Sequence, residues 1–108
     1  MGIEVNLERG RLRVALSGDL DHHNARNSME VIKRGIDTNL PAVLEIDLQD
    51  VGFADSSAFA LLVRSKKLMD ELNGKLQVVN VQSQPMKLLN AAKIGRLLEI
   101  TSTKEAQE

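Results

Sequence analysis

The 108-residue chain contains no cysteine, no tryptophan and no tyrosine, and only two phenylalanines. Without cysteine there is no disulfide, no thiolate nucleophile and no zinc–thiolate site, which agrees with a reducing compartment. Histidine and carboxylates are left as the only metal ligands available. Aromatic platforms for stacking bases are missing, and 14 basic residues against 15 acidic ones leave a net charge of −1, so no nucleic acid partner is expected. The longest apolar run, A-F-A-L-L-V at residues 58 to 63, is far short of the roughly 20 residues that a bilayer crossing needs. No membrane insertion is expected. The start M-G-I-E-V-N has neither the basic nor the apolar region of a signal peptide, and Asn6 stands where a myristoylation motif needs Ser or Thr. The expected location is cytoplasmic.

Apolar residues make up 43% of the chain and charged residues 27%, the balance of a folded protein, and the length suits one domain over residues 1–108. Alternation in L-R-V-A-L-S at residues 12 to 17 predicts a strand, paired with a shorter one near Ile3 to Leu7 across the E-R-G-R turn. Ala25, Met29, Ile32 and Ile36 recur at helical spacing behind Asp21 or Asn24 as cap, and Asn39, Leu40 and Pro41 stop this helix. A-V-L-E-I-D-L at 42 to 48 predicts a central strand that D-V-G-F-A-D terminates. From Ser57 the apolar positions repeat at three and four until Asn73 and Gly74. K-L-Q-V-V-N-V at 75 to 81 reads as a strand, Ser83 with Pro85 starts a third helix, and Leu97 to Ile100 makes a short last strand. The polar tail T-S-T-K-E-A-Q-E begins a final helix or frays. The expected class is α/β: a mixed sheet of about five strands with a leading hairpin, covered by three to four helices.

Both phenylalanines flank the stretch F-A-D-S-S-A-F at residues 53 to 59, on the loop between a central strand and a helix, where open α/β sheets place function. Asp55 or Ser56 suits a helix cap, which accounts for one of the three polar residues. A phosphoserine in the first turn of the helix would be tolerated, because free backbone N–H groups and the helix dipole favour anions there. It would add about −1.5 to −2 charges beside Asp55. Phe53 follows a strand and can pack inward. Phe59 and Val63 lie off the centre of the buried stripe and, four residues apart, form an expected apolar patch beside the serines.

Enzyme chemistry finds little footing. His22, His23, Asp55 and Ser57 supply hydrolase residue types, but no G-x-S-x-G elbow exists. His22 and His23 with Asp19 and Asp21 lack the spaced pattern of a zinc site and read as a solvated turn, so no metal is expected. Glycine fingerprints for phosphates or dinucleotides are absent.

G-D-L-D-H-H-N-A at 18 to 25 and D-S-S-A at 55 to 58, within this order of strands and helices, resemble the STAS domain of bacterial anti-sigma factor antagonists, sporulation-type anti-anti-sigma factors above all. The resemblance spans essentially the whole chain. It implies a switch by partner exchange: the unphosphorylated protein binds an anti-sigma factor that is also a serine kinase, a sigma factor is released, and phosphorylation abolishes binding until a phosphoserine phosphatase reverses it. The chain itself then catalyses nothing and needs no cofactor; the kinase supplies ATP, magnesium and the base. Carried over by position, Ser57 is the acceptor, Asp55 and Ser56 shape its loop and Asp21 lies near it; Ala58 is counted with the same loop, and His22 with the offset pair Phe59 and Val63 is expected on the partner-binding face. Ala58 replaces the family's glycine after the acceptor and Ala60 stands where a second is frequent, so the Ala58 methyl is expected to limit a kinase's approach. Other members of this fold serve as unphosphorylated subunits of ABC-type transporter ATPases or as tails of anion transporters, often without an acceptor serine. A third use, small-ligand or nucleotide binding, has no residue pattern here to argue for it.

Overall fold

The structure is a computed structural model and describes residues 1–93 and 98–102. Strands β1 (Gly2–Glu8) and β2 (Arg11–Ser17) form an antiparallel hairpin in which Glu8 faces Arg11, leaving only Arg9 and Gly10 for the turn. Both turn residues have positive φ, 51° and 78°, the signs of a type I′ turn, whose twist matches the strands it joins. There follow α1 (His22–Asn39), β3 (Val43–Asp50), α2 (Ser56–Glu71), β4 (Lys75–Val81), α3 (Ser83–Ala91) and β5 (Glu99–Ser102). Strands β2 to β5 pair in parallel in chain order, giving one five-stranded mixed sheet, β1-β2-β3-β4-β5. Parallel neighbours need a long crossover, and each is supplied by a helix.

The period-two pattern decides which face those helices cover. Leu12, Val14 and Leu16 of β2, Leu44, Ile46 and Leu48 of β3, and Leu76 and Val78 of β4 are buried, against Met29, Ile32 and Ile36 of α1, Leu61, Leu62 and Met69 of α2, and Leu89 of α3. The alternate positions make a polar open face. Arg11 donates to Glu45 and to Gln77, each at 2.9 Å, and Arg13 donates to Glu45 and to Asp47. Asp47 is buried, yet its carboxylate also accepts from Asn80 at 3.1 Å and from the Gln49 N–H at 2.9 Å, so the charge is fully partnered.

Two local expectations, for β3 and β5, are corrected. β3 continues to Asp50 because Asp50 pairs with Ser17 and its carbonyl accepts the Gly18 N–H at 3.0 Å. α3 starts at Ser83 as expected; the residue before it, Gln82, stands at the cap position, and its side chain donates to the Gln49 carbonyl instead of capping. β5 starts at Glu99 and takes in Thr101 and Ser102, two residues of the supposed tail; Leu97 and residues 103–108 lie outside the described residues. α2 ends just before the expected Asn73–Gly74 stop, where Asn73 takes the left-handed conformation with φ 56°.

Gly74 is needed for a different reason. A Cβ there would stand 2.8 Å from the Ala42 carbonyl oxygen and 2.6 Å from the Met69 methyl, at the point where the Lys75 N–H donates to Ala42 at 2.9 Å. Backbone cannot yield as a side-chain tip does. Gly74→Ala is expected to destabilise by about 1–3 kcal/mol in urea titrations, read as a lower midpoint at unchanged slope.

Candidate functional site at the paired starts of two helices

The site begins where β2 and β3 run out. Beyond their carboxyl ends the two chains make one more parallel bridge, Leu20 with Ala54. The Leu20 N–H donates to the Phe53 carbonyl at 2.9 Å and the Asp55 N–H donates to the Leu20 carbonyl at 3.2 Å. On its other edge the Ala54 N–H donates to Gln84 Oε1 at 2.8 Å, and Gln84 Nε2 donates back to the Ala54 carbonyl at 3.0 Å. A side-chain amide from α3 thus replaces a neighbouring strand. One residue after the bridge, each chain turns into a helix capped by an aspartate. Asp21 accepts the Asn24 N–H at 2.9 Å, and Asp55 accepts the Ser57 N–H at 2.8 Å. The starts of α1 and α2 are thereby set side by side.

Ser57 is the second residue of α2 and is partly exposed. Its Oγ stands 3.5 Å from His22 Nδ1, the outer limit of a hydrogen bond. Between the helices runs a groove of roughly 420 Å³, lined by His22, Ala25, Arg26, Met29, Glu30 and Lys33 of α1 and by Ser57, Ala60, Leu61 and Arg64 of α2. Lys33 pairs with Asp37 at 2.8 Å, whereas Arg26 and Arg64 make no ion pair among the described residues. Chemically the groove offers an apolar floor, unpaired cations and a hydroxyl at its mouth.

Of the residues singled out from the sequence, Asp21, His22, Asp55 and Ser57 come together here. Ser56 is exposed. The expectation for Ala58 is overturned: it is only 2% exposed and belongs to the core, so its methyl points away from any approaching kinase. The alanine that faces the groove beside Ser57 is Ala60. Phe53 is 46% exposed and does not pack inward. Phe59 and Val63 are partly buried against the core and are not among the groove's lining residues. At 3.6 residues per turn Phe59 lies about 160° around α2 from Ser57, so the apolar patch adjoins Ser56 and not Ser57. His22 and His23 open α1 instead of forming a turn. Arg26, Arg64 and Gln84 were missed, although Arg26 follows His22 by four residues and Ala60, Leu61 and Arg64 follow Ser57 at helical spacing.

A leading hairpin, parallel strands in chain order, helices on one face of the sheet and a D-S-S turn opening the second helix define a class of small α/β domains whose exposed site is a capped helix start. The chain matches the STAS domain over residues 3–106 and belongs to that family. It is 28% identical, over 98 residues, to the anti-sigma F factor antagonist of Paenibacillus polymyxa, a match covering 91% of this chain and 84% of the relative. Its fold is similar to that of the anti-sigma factor antagonist SpoIIAA in its unphosphorylated form, with a TM-score of 0.82 and 19% identity over 98% of this chain and 92% of that one. The Bacillus cell fate determinant SpoIIAA in its phosphorylated form gives a TM-score of 0.73 and 19% identity, covering 98% and 96% of the two chains.

The double bond from Gln84 to Ala54 is the site's dependence on α3. Gln84→Ala is expected to lower stability by about 1–3 kcal/mol and to speed amide hydrogen exchange at Ala54 and Asp55 ahead of the sheet; unchanged protection at both amides would count against it.

Proposed function

We propose that this protein is a cytoplasmic anti-sigma factor antagonist whose binding to an anti-sigma factor kinase is switched by phosphorylation of Ser57. The observation that carries the reading is the partly exposed Ser57 on a turn pinned by Asp55 and by the Leu20–Ala54 bridge, within the D-S-S-A motif. Support also comes from the P. polymyxa relative, named as an anti-sigma F factor antagonist, and from the shared fold with SpoIIAA, known in unphosphorylated and phosphorylated forms. In the unphosphorylated state the partner reads a surface built from His22, Phe59 and Val63, together with Phe53. The kinase transfers the γ-phosphoryl group of ATP to Ser57 Oγ; the Oγ–P bond forms, the hydroxyl proton goes to the kinase's base, and ADP leaves. A phosphoserine phosphatase restores the hydroxyl by hydrolysis. The added charge of about −1.5 to −2 opposes the partner without refolding the turn.

Incubation with ATP and the organism's candidate anti-sigma kinases is expected to add the mass of one phosphate, and Ser57→Ala to abolish the gain. A gain that persists in Ser57→Ala moves the acceptor elsewhere. Phe59→Asp is expected to weaken partner binding at least tenfold in calorimetric titration while leaving the thermal midpoint within a few degrees, since a partly exposed anchor contributes more to an interface than to the core.

A further inference from the structure

We infer that the groove between α1 and α2 is a built-in receptor for a phosphomonoester, and that the phosphate on Ser57 folds into it, held by His22, Arg26 and Arg64. The inference rests on the reading of Ser57 as the acceptor and adds where its phosphate goes. Ser57 and His22 lie at the same mouth of the groove, and the 3.5 Å between Oγ and Nδ1 is longer than a good hydroxyl–imidazole bond. Phosphoryl oxygens extend beyond Oγ and would close that gap, with the imidazole N–H donating to them.

The charge of the lining favours the same occupant. Arg26, Lys33 and Arg64 line the groove against a single acid, Glu30. Lys33 is engaged with Asp37, which leaves two guanidiniums, neither ion-paired among the described residues, on opposite walls of one cleft. Their planar donor forks suit phosphate oxygens. The nearby carboxylates, Asp21 and Asp55, are not part of the lining, and each is held by an N–H of its own helix, Asn24 and Ser57 respectively. The mouth stays open because position 60 carries only a methyl group, and the floor of Ala25, Met29 and Leu61 leaves the cations as the groups that a polar occupant meets.

Held in this way, the phosphate does more than repel. It takes His22, Arg26 and Arg64 out of reach of a partner, and it cross-links the two helices, so the phosphorylated protein is the more stable form.

Phosphoserine encoded at position 57 during translation tests this without any kinase. Phosphorus NMR across pH is expected to show a second ionisation about one pH unit below the ordinary value near ~6, and thermal unfolding a higher midpoint than that of the unmodified protein. The double variant Arg26→Gln/Arg64→Gln is expected to return both to ordinary values, as is Ala60→Leu, which keeps every charge and fills the mouth. Lys67→Gln, on the exposed side of α2, is expected to change neither. A phosphate that titrates ordinarily in the parent protein, or that neither the arginine pair nor Ala60→Leu moves, overturns the receptor. Loss of the kinase reading would show separately, as a mass gain that survives Ser57→Ala.

Discussion

Leu20 gives its N–H to Phe53 and takes the N–H of Asp55 on its carbonyl, and the rest of the site follows from that exchange. Leu20 is 0% exposed, so its N–H and carbonyl have no water to turn to and breaking the bridge would leave them unpaired. Gln84 closes the other edge of Ala54. The two loops therefore cannot slide past one another, and the capping aspartates, each one residue beyond the bridge, stay in register. His22 comes one residue after the first cap and Ser57 two after the second. Their 3.5 Å separation is set by chain connectivity, not by any attraction between them.

This arrangement separates what must be rigid from what must change. Ala25, Met29 and Leu61 underlie the groove, and Ala58, next in sequence to Ser57, is in the same core that packs on the sheet. The surface above those residues can gain charge while the packing beneath keeps its contacts. The opposite face of the sheet is held differently, by the net of Arg11, Arg13, Glu45, Asp47 and Gln77, where the outer Arg11 contacts contribute little singly and the buried Asp47 is held by several donors at once. Charge chemistry at one side of the molecule is thus insulated from the other by a layer of buried leucine, isoleucine and valine.

Strand and helix order was legible because burial writes period two and period 3.6 into the sequence, as in L-R-V-A-L-S and in Ala25, Met29, Ile32 and Ile36. Asp21 and Asp55 as caps, and Ser57 beside them, were legible from turn chemistry and from the two motifs. Less legible were features fixed by partners distant in sequence. Asp50 extends β3 because Ser17 and Gly18 pair with it, and nothing in D-V-G-F-A-D announces that. Phe53 stays on the surface because its backbone, not its ring, is what the loop uses. The inward turn of Ala58 follows from the stripe it shares with Leu61 and Leu62, which the comparison with glycine at that position obscured. Arg26 and Arg64 could have been paired only by knowing that α1 and α2 lie side by side.

Ser57 and the apolar patch occupy different flanks of α2, and this limits how a switch based on phosphorylation of Ser57 could work. A helix with its side chains is about 10–12 Å across, and exposed charges more than about 8 Å apart are largely screened at physiological salt. A partner touching only Phe59 and Val63 would barely sense a charge on the Ser57 side. For phosphorylation to decide binding, the partner must reach over the helix start to the α1 flank, where His22, Arg26 and Ser57 lie together. There the same groups that a partner would use are the ones that a phosphate on Ser57 would occupy, so the proposed switch would be a competition for donors and would require no long-range field.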